Sequence, residues 1–312
     1  MTHTISYADA DPLLDWQELM DALRDGHDGA SVRVGDVFLN RSTGTMLTRV
    51  AWIDGMGRLA KIANVAPAAR QKQASINGAA LLFSDAAGTL EAIIDFHLIT
   101  KWKTAADSLL GASLLARTNS ENILIVGAGS VARSLIEGYS SVFPAARISL
   151  WNRTTANARS LAAVMGGVVR IAVVTDLEAA VRSADIISTA TLSAVPIIDG
   201  DWLAPGTHLD LIGAFRADMR ETNDAAFRRS SIFVDARETT LDHIGELIDP
   251  IANGTIAPSD VIADYSDIQS GTFTRRHPDE ITLFKNGGGA HLDLMTARYI
   301  LGKYREKGPL SG

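Results

Sequence analysis

The chain has 312 residues, a net charge of −7 and no cysteine. An acidic balance without a concentrated basic face argues against nucleic acid or an anionic membrane as partner. The absent cysteines exclude disulfides, thiolate nucleophiles and cysteine metal sites, and they suit a reducing, cytoplasmic setting. Hydrophobic residues at 46% with 21% charged describe a soluble globular protein of two domains or one large one. The first residues show no signal-peptide pattern, and no uninterrupted apolar run is long enough to span a bilayer.

Leu13, Leu14, Trp16, Leu19, Met20 and Leu23 recur at helical spacing, which predicts an amphipathic helix over 12–25. Short strand-like runs follow at Val32 to Phe38, Thr45 to Ile53 and Leu59 to Val65. Residues 76–98 read as a hairpin, with 79–83 and 90–94 flanking Asp85-Ala86-Ala87-Gly88. A long helix is expected from about 104 to 117. From 121 to about 235 strands alternate with helices, at 122–126, 147–151, 168–173, 186–189, 208–212 and 232–234. That alternation implies a parallel sheet covered on both faces. After 240 come two helical stretches, a strand over 280–285 entering Asn286-Gly287-Gly288-Gly289, and a last helix from 290 to about 304.

The strand 122–126 ends at Gly127-Ala128-Gly129-Ser130-Val131-Ala132, a Gly-x-Gly-x-x-Ala turn that opens a helix. Here the first glycine makes the tight turn, the second lets the backbone approach a pyrophosphate, and Ala132 allows close packing. The helix N-terminus then offers N–H groups and a positive dipole end to phosphates. The next strand ends at Asn152-Arg153-Thr154, where an NAD enzyme carries an acid for the ribose 2′-hydroxyl. A guanidinium pairs with a 2′-phosphate in forked geometry, which points to NADP(H), with NADH the weaker alternative.

Several segments in order along the chain resemble the ornithine cyclodeaminase/mu-crystallin family. They are Lys61 with Pro67, Asn77-Gly78, Ile99-Thr100-Lys101-Trp102-Lys103-Thr104-Ala105-Ala106, the turn at 126–129, Ile212-Gly213-Ala214 and Asp279-Glu280-Ile281-Thr282-Leu283-Phe284-Lys285. The resemblance implies an α/β fold: a Rossmann-type doubly wound parallel sheet plus a split N-/C-terminal dimerisation domain, assembled as a homodimer. The expected division is 1–118 with 290–312 for the dimerisation and substrate domain, and 119–289 for the NADP(H)-binding domain.

Within that family, cyclodeaminases carry an acid–base aspartate after the strand ending near 212. Here Phe215 stands there, in Gly213-Ala214-Phe215-Arg216-Ala217-Asp218-Met219-Arg220-Glu221, and phenylalanine moves no proton. That run and Trp151-Asn152-Arg153-Thr154 are similar to the ketimine reductase branch, whose members reduce Δ1-pyrroline-2-carboxylate or Δ1-piperideine-2-carboxylate with NADPH. The expected function is therefore reduction of a cyclic 2-imino acid to L-proline or L-pipecolate. The alternatives are a lyase of the ornithine cyclodeaminase or hydroxyproline dehydratase type, and a non-catalytic protein that binds NADPH and a small ligand.

The resemblance makes Lys61 the active-site lysine, as carboxylate partner or proton source, and gives Lys103 the place of an arginine that binds substrate carboxylate. Arg33, on an early strand, is a third cation candidate. On the cofactor side the resemblance puts Thr104 near the nicotinamide and matches Ser75 to a threonine that touches cofactor. Thr189-Ala190-Thr191 follows a sheet strand, on the side where open α/β sheets bind ligands, with Ile212-Gly213 at another strand end. Asn286, at the start of the glycine run, is a candidate to close over the cofactor or a plain turn residue. Read alone, each cation is also a solvated side chain, and Thr104 after Lys103 is also a helix N-cap. The seven histidines show no metal-ligand spacing, so no metal is expected. A packing or helix-start role is favoured for His291, and a solvated loop for Arg275-Arg276-His277.

Overall fold

The computed structural model describes residues 2–29, 31–65, 76–167 and 169–307. Pro67, Ser75 and Val168 lie outside them. The chain divides into two units, Met1–Lys103 with Gly288–Gly312, and Thr104–Gly287.

The first unit opens with β1 (His3–Ile5), α1 (Tyr7–Ala10) and α2 (Trp16–Gly26). Asp15 caps α2 by accepting from the N–H groups of Gln17 and Glu18, so this helix starts later than the apolar spacing alone suggests. Then come β2 (Val32–Arg41), β3 (Gly44–Ile53), β4 (Gly57–Val65), β5 (Ile76–Phe83) and β6 (Leu90–Asp95), followed by α3 (Phe96–Leu115). The six strands form one sheet in the order β1-β6-β5-β4-β3-β2, with β1 parallel to β6 and the other pairs antiparallel.

Helix α3 begins at Phe96, not near 104. The carboxylate of Asp95 accepts from the N–H groups of His97 and Leu98, so the chain passes from strand to helix without a loop. Thr104 therefore lies inside the helix and is not its N-cap. The unit's last element, α10 (Ala290–Lys307), packs on β3, β4 and α2 and covers the inward face of the sheet.

The second unit contains β7 (Asn122–Val126), α4 (Ser130–Val142), β8 (Arg147–Trp151), α5 (Thr155–Met165), β9 (Ile171–Val173), α6 (Leu177–Ser183), β10 (Ile186–Thr189) and β11 (His208–Leu211). It continues with α7 (Asp224–Arg229), β12 (Ser231–Val234), α8 (Arg237–Thr240), α9 (Gly245–Ala252), β13 (Val261–Ala263) and β14 (Thr282–Lys285). All eight strands are parallel, in the order β13-β12-β14-β11-β10-β7-β8-β9.

Strand order reverses between β7 and β10, the switch point where open α/β sheets bind ligands at the carboxyl ends of their strands. Strands β7 and β12 are largely apolar because helices cover both faces, whereas β10, β11 and β14 also bury Ser188, Thr189, His208, Asp210, Thr282 and Lys285. Leu124, Val126, Ile187, Leu209, Leu211, Val234 and Leu283 are all buried in one core. Each such side chain contributes about 1.5–3 kcal/mol by leaving water.

Arg275 belongs to this core's edge, not to a solvated loop. Its guanidinium donates to the Leu115 and Glu280 carbonyls and to Thr282 Oγ1. The neighbouring main chain at Arg276 and His277 is held by the Glu280 carboxylate.

Candidate active site

Side chains alternate along β4, so Leu59, Lys61 and Ala63 point inward beneath α10 and are buried. A lysine among those positions loses water and needs a partner. Asp293, in the first turn of α10, supplies it: Lys61 Nζ donates to Asp293 Oδ1 at 2.8 Å. Asp293 is fully buried, and its Oδ2 has no hydrogen-bond partner among the described residues. The Lys61 ammonium also sits 4.9 Å from the centre of the Phe96 ring.

Strand register adds two more charges to this face. Arg49 on β3 stands opposite Lys61, and Asp36 on β2 stands opposite Arg49. Directly paired residues share a face of the sheet. The Arg49 guanidinium donates to Asp36 at 2.9–3.0 Å and to the Gly288 carbonyl at 2.7 Å. Lys103 is only 5% exposed, and its charge acts on Lys61, Asp293 and His291.

Burial pulls the Lys61 ammonium below the usual lysine value; Asp293 opposes that fall, and Lys103 and Arg49 add to it. Burial would raise the Asp293 carboxyl, but Lys61, Lys103 and Arg49 outweigh it and hold the group below the ordinary range. His291 is pushed down to about 3, by burial first and then by His27 and Lys103, so it is neutral at physiological pH. His27 meets its ring edge-on at 5.2 Å.

Arg33 is not part of this cluster. It stands opposite Trp52, and Trp52 opposite Arg58, which puts all three on the other face of the sheet from Lys61. There Arg33, Trp52 and Arg58 line an open cavity of about 460 Å³. The reason is the pleat: positions 58 and 61 differ by an odd number, so their side chains leave opposite faces.

In the second unit, Gly127 adopts φ 124°, and a Cβ there would come within 2.5 Å of the Ala190 carbonyl oxygen. Only glycine fits that turn. A Cβ on Gly129 would meet open space, and no side chain caps α4, so the N–H groups of Ser130 and Val131 in its first turn are open to an anion. These residues fit a dinucleotide pyrophosphate. At the end of β8, Asn152 Nδ2 donates to the Thr154 carbonyl at 2.9 Å, and Arg153 is exposed beside it.

Glu221 organises the strand ends next to that turn. Its buried carboxylate accepts from Thr189 Oγ1 at 2.7 Å, from the N–H and hydroxyl of Thr191 at 2.8 and 2.7 Å, and from the Gly213 N–H at 2.7 Å. A Cβ at Gly213 would come within 2.1 Å of the Thr191 carbonyl, so the two strand-end loops close on each other there. Glu246 in turn accepts from the N–H groups of Glu221 and Thr222, and burial pushes its carboxyl up to about 7.

Lys285 Nζ donates to the Leu211 and Asn286 carbonyls, both at 2.7 Å, joining the ends of β11 and β14. Thr104 and Asn286 also meet, since Asn286 Nδ2 donates to the Thr104 carbonyl and to Ser108 Oγ, each at 3.1 Å. Ser108 donates onward to Asp210, whose carboxyl burial raises to about 7.

The sequence candidates thus fall into two sets. The first unit brings Lys61 and Lys103 into one cationic cluster and adds Arg49 and Asp293. The second gathers Gly127, Gly129, Ser130, Val131, Thr189, Ala190, Thr191, Ile212 and Gly213 at the carboxyl ends of its strands, with Asn152, Arg153 and Thr154 after β8. Ser75 lies outside the described residues. Phe215 is 55% exposed. Among the described residues no group of three or more His, Asp or Glu side chains is placed to hold a metal, and no helix is long and apolar enough to cross a membrane.

The family model described as "Ornithine cyclodeaminase/mu-crystallin family" matches residues 54–308. A Delta(1)-pyrroline-2-carboxylate reductase of Paracoccus denitrificans is 51% identical over 300 residues, 95% of each chain. The ketimine reductase mu-crystallin of Mus musculus is 34% identical over 220 residues, 70% of this chain and 67% of its own. Among solved structures, the Delta(1)-pyrroline-2-carboxylate reductase of Thermococcus litoralis in complex with NADH and L-proline superposes with a TM-score of 0.90. It is 25% identical, with all of both chains covered. By family model and by identity over nearly its whole length, the chain belongs to the ornithine cyclodeaminase/mu-crystallin family.

Proposed function

We propose that the protein is an NADPH-dependent reductase of cyclic 2-imino acids, converting Δ1-pyrroline-2-carboxylate or its six-membered homologue to L-proline or L-pipecolate. The observation that carries this reading is the charge on the inward face of the first unit. Lys61, Lys103 and Arg49 are three cations against the two carboxylates of Asp293 and Asp36. A substrate carboxylate restores neutrality there. The names of the relatives, pyrroline-2-carboxylate reductase and ketimine reductase, support the same chemistry.

In this reading Lys103 holds the substrate carboxylate as a point charge, without the bidentate fork of an arginine. Lys61 gives a proton to the imine nitrogen, which makes the adjoining ring carbon electrophilic. NADPH, when bound at the 127–131 turn, supplies the hydride. The hydride and its electron pair form the new C–H bond at the imine carbon as the C=N π pair moves onto nitrogen. Lys61 then recovers its proton from solvent.

NADPH is preferred over NADH because no acid follows β8 and Arg153 is exposed there for a 2′-phosphate. The reading includes a homodimer formed through the first unit. Val37, Leu39, Val50 and Trp52 are 56%, 61%, 42% and 44% exposed on one face of the sheet, and a second copy would remove that patch from water. It also includes a cytoplasmic setting, on the absence of cysteine.

The test is absorbance at the NADPH band with purified protein and Δ1-pyrroline-2-carboxylate, beside NADH and L-ornithine controls. Imine-dependent loss of NADPH, faster than of NADH, is the expected outcome. Ammonia release from ornithine with no net NADPH loss would instead make the protein a lyase and remove the weight placed on Phe215.

A further inference from the structure

We infer that Asp293 is a positioning residue for imine reduction: as the hydrogen-bonded counter-ion of Lys61 it keeps that side chain an ammonium within a buried cationic cluster. This rests on the reductase reading for its kinetic consequence, but not for the state of Lys61 itself.

The groups around Lys61 push in one direction. On β3 its neighbour in register is Arg49, a cation already paired with Asp36. From α3 come the Phe96 ring and the Lys103 charge. The facing strand β5 (Ile76–Phe83) carries no ionisable side chain. From α10 come neutral His291, itself against His27, and Asp293. Burial and two nearby cations all favour the neutral amine at Lys61. Among the groups named, Asp293 is the carboxylate that opposes them directly, through charge and through a 2.8 Å hydrogen bond.

Asp293 is built to stay ionised. It sits in the first turn of α10, where the helix dipole favours an anion. Its Oδ1 is engaged by Lys61, and its Oδ2 has no hydrogen-bond partner among the described residues. The hydrogen bond of the carboxylate is thus to Lys61, while Lys103 and Arg49 act on it through charge alone.

The experiment pairs Asp293→Asn, which keeps shape and removes charge, with two readouts. The first is the pH profile of kcat/KM for Δ1-pyrroline-2-carboxylate. Its alkaline limb should move to lower pH by about 1–2 units, the worth of a hydrogen bond between charged groups, with activity returning as pH falls. A loss of rate equal at every pH, with the limb unmoved, would show a structural role only and overturn the inference.

The second readout is the 13Cε resonance of Lys61, assigned with Lys61→Arg and titrated by NMR in the absence of substrate. In the wild-type protein Lys61 should remain protonated at pH 7.5, and in Asp293→Asn its titration should shift to lower pH. Wild-type Lys61 that is already neutral at pH 7.5 overturns the inference even where the variant cannot be purified. If wild-type protein consumes no NADPH with the imine, the reductase reading falls while the titration still decides the role of Asp293.

Discussion

Arg153 stands where the second strand of the nucleotide-binding unit ends, exposed and beside an amide that is tied to the Thr154 carbonyl. In the proposed function its task is to pair with a 2′-phosphate. Arg153→Ala should therefore raise KM for NADPH about tenfold, the lower end for a charge-assisted contact because the site is open to solvent. KM for NADH should change by less than about twofold. An unchanged ratio of the two constants would remove the 2′-phosphate argument. Single residues were legible in the sequence to different degrees. Lys61 could be read from the resemblance. Arg33 could not be separated from it, since only strand register shows that the two leave opposite faces of the sheet. Asp293 had a weaker signal: an acid in the first turn of the last helix is common, and its partner lies 232 positions away.

At the scale of elements, the Gly213–Glu221 run is a clamp. One buried carboxylate gathers donors from the ends of β10 and β11, and a second, Glu246, holds the main chain at Glu221 and Thr222. Glu221→Gln sets an amide N–H group against N–H and O–H donors, with a loss of about 2–4 kcal/mol. We expect Tm to fall by about 5–10 °C and KM for NADPH to rise, measured by thermal unfolding and initial rates. A variant as stable as wild type would show that the clamp does not hold the strand ends. The run itself was visible in the sequence, but the role of Glu221 was not, because its partners come from the β10 end as well as from its own run. The start of α3 was misplaced for a related reason. Strand β6 passes into the helix at a single aspartate, so no glycine- or proline-rich loop marks the boundary.

At the scale of the whole molecule, the alternation of strands and helices made the parallel sheet legible, and the resemblance implied a split first domain that includes the last helix. That helix does pack on β3 and β4. The short strands β1 and β13, three residues each, carry too little pattern to be seen in advance. Nor does chain order show that β14, last in sequence, enters the sheet between β11 and β12. The division between units falls after Lys103, within α3, whereas the sequence placed it after 118. Lys103 and Thr104 are thus consecutive residues assigned to different units, one a candidate for the substrate carboxylate and the other for the cofactor.

Hydride transfer to the imine carbon can be followed through one atom. NADPH carrying deuterium at both C4 positions of the nicotinamide is incubated with the protein and Δ1-pyrroline-2-carboxylate, and the product is analysed by mass spectrometry and NMR. The expected product is L-proline bearing one deuterium at Cα for each NADPH consumed. Proline without deuterium, or no proline while ornithine is deaminated and NADPH is left unchanged, would contradict the reductase reading.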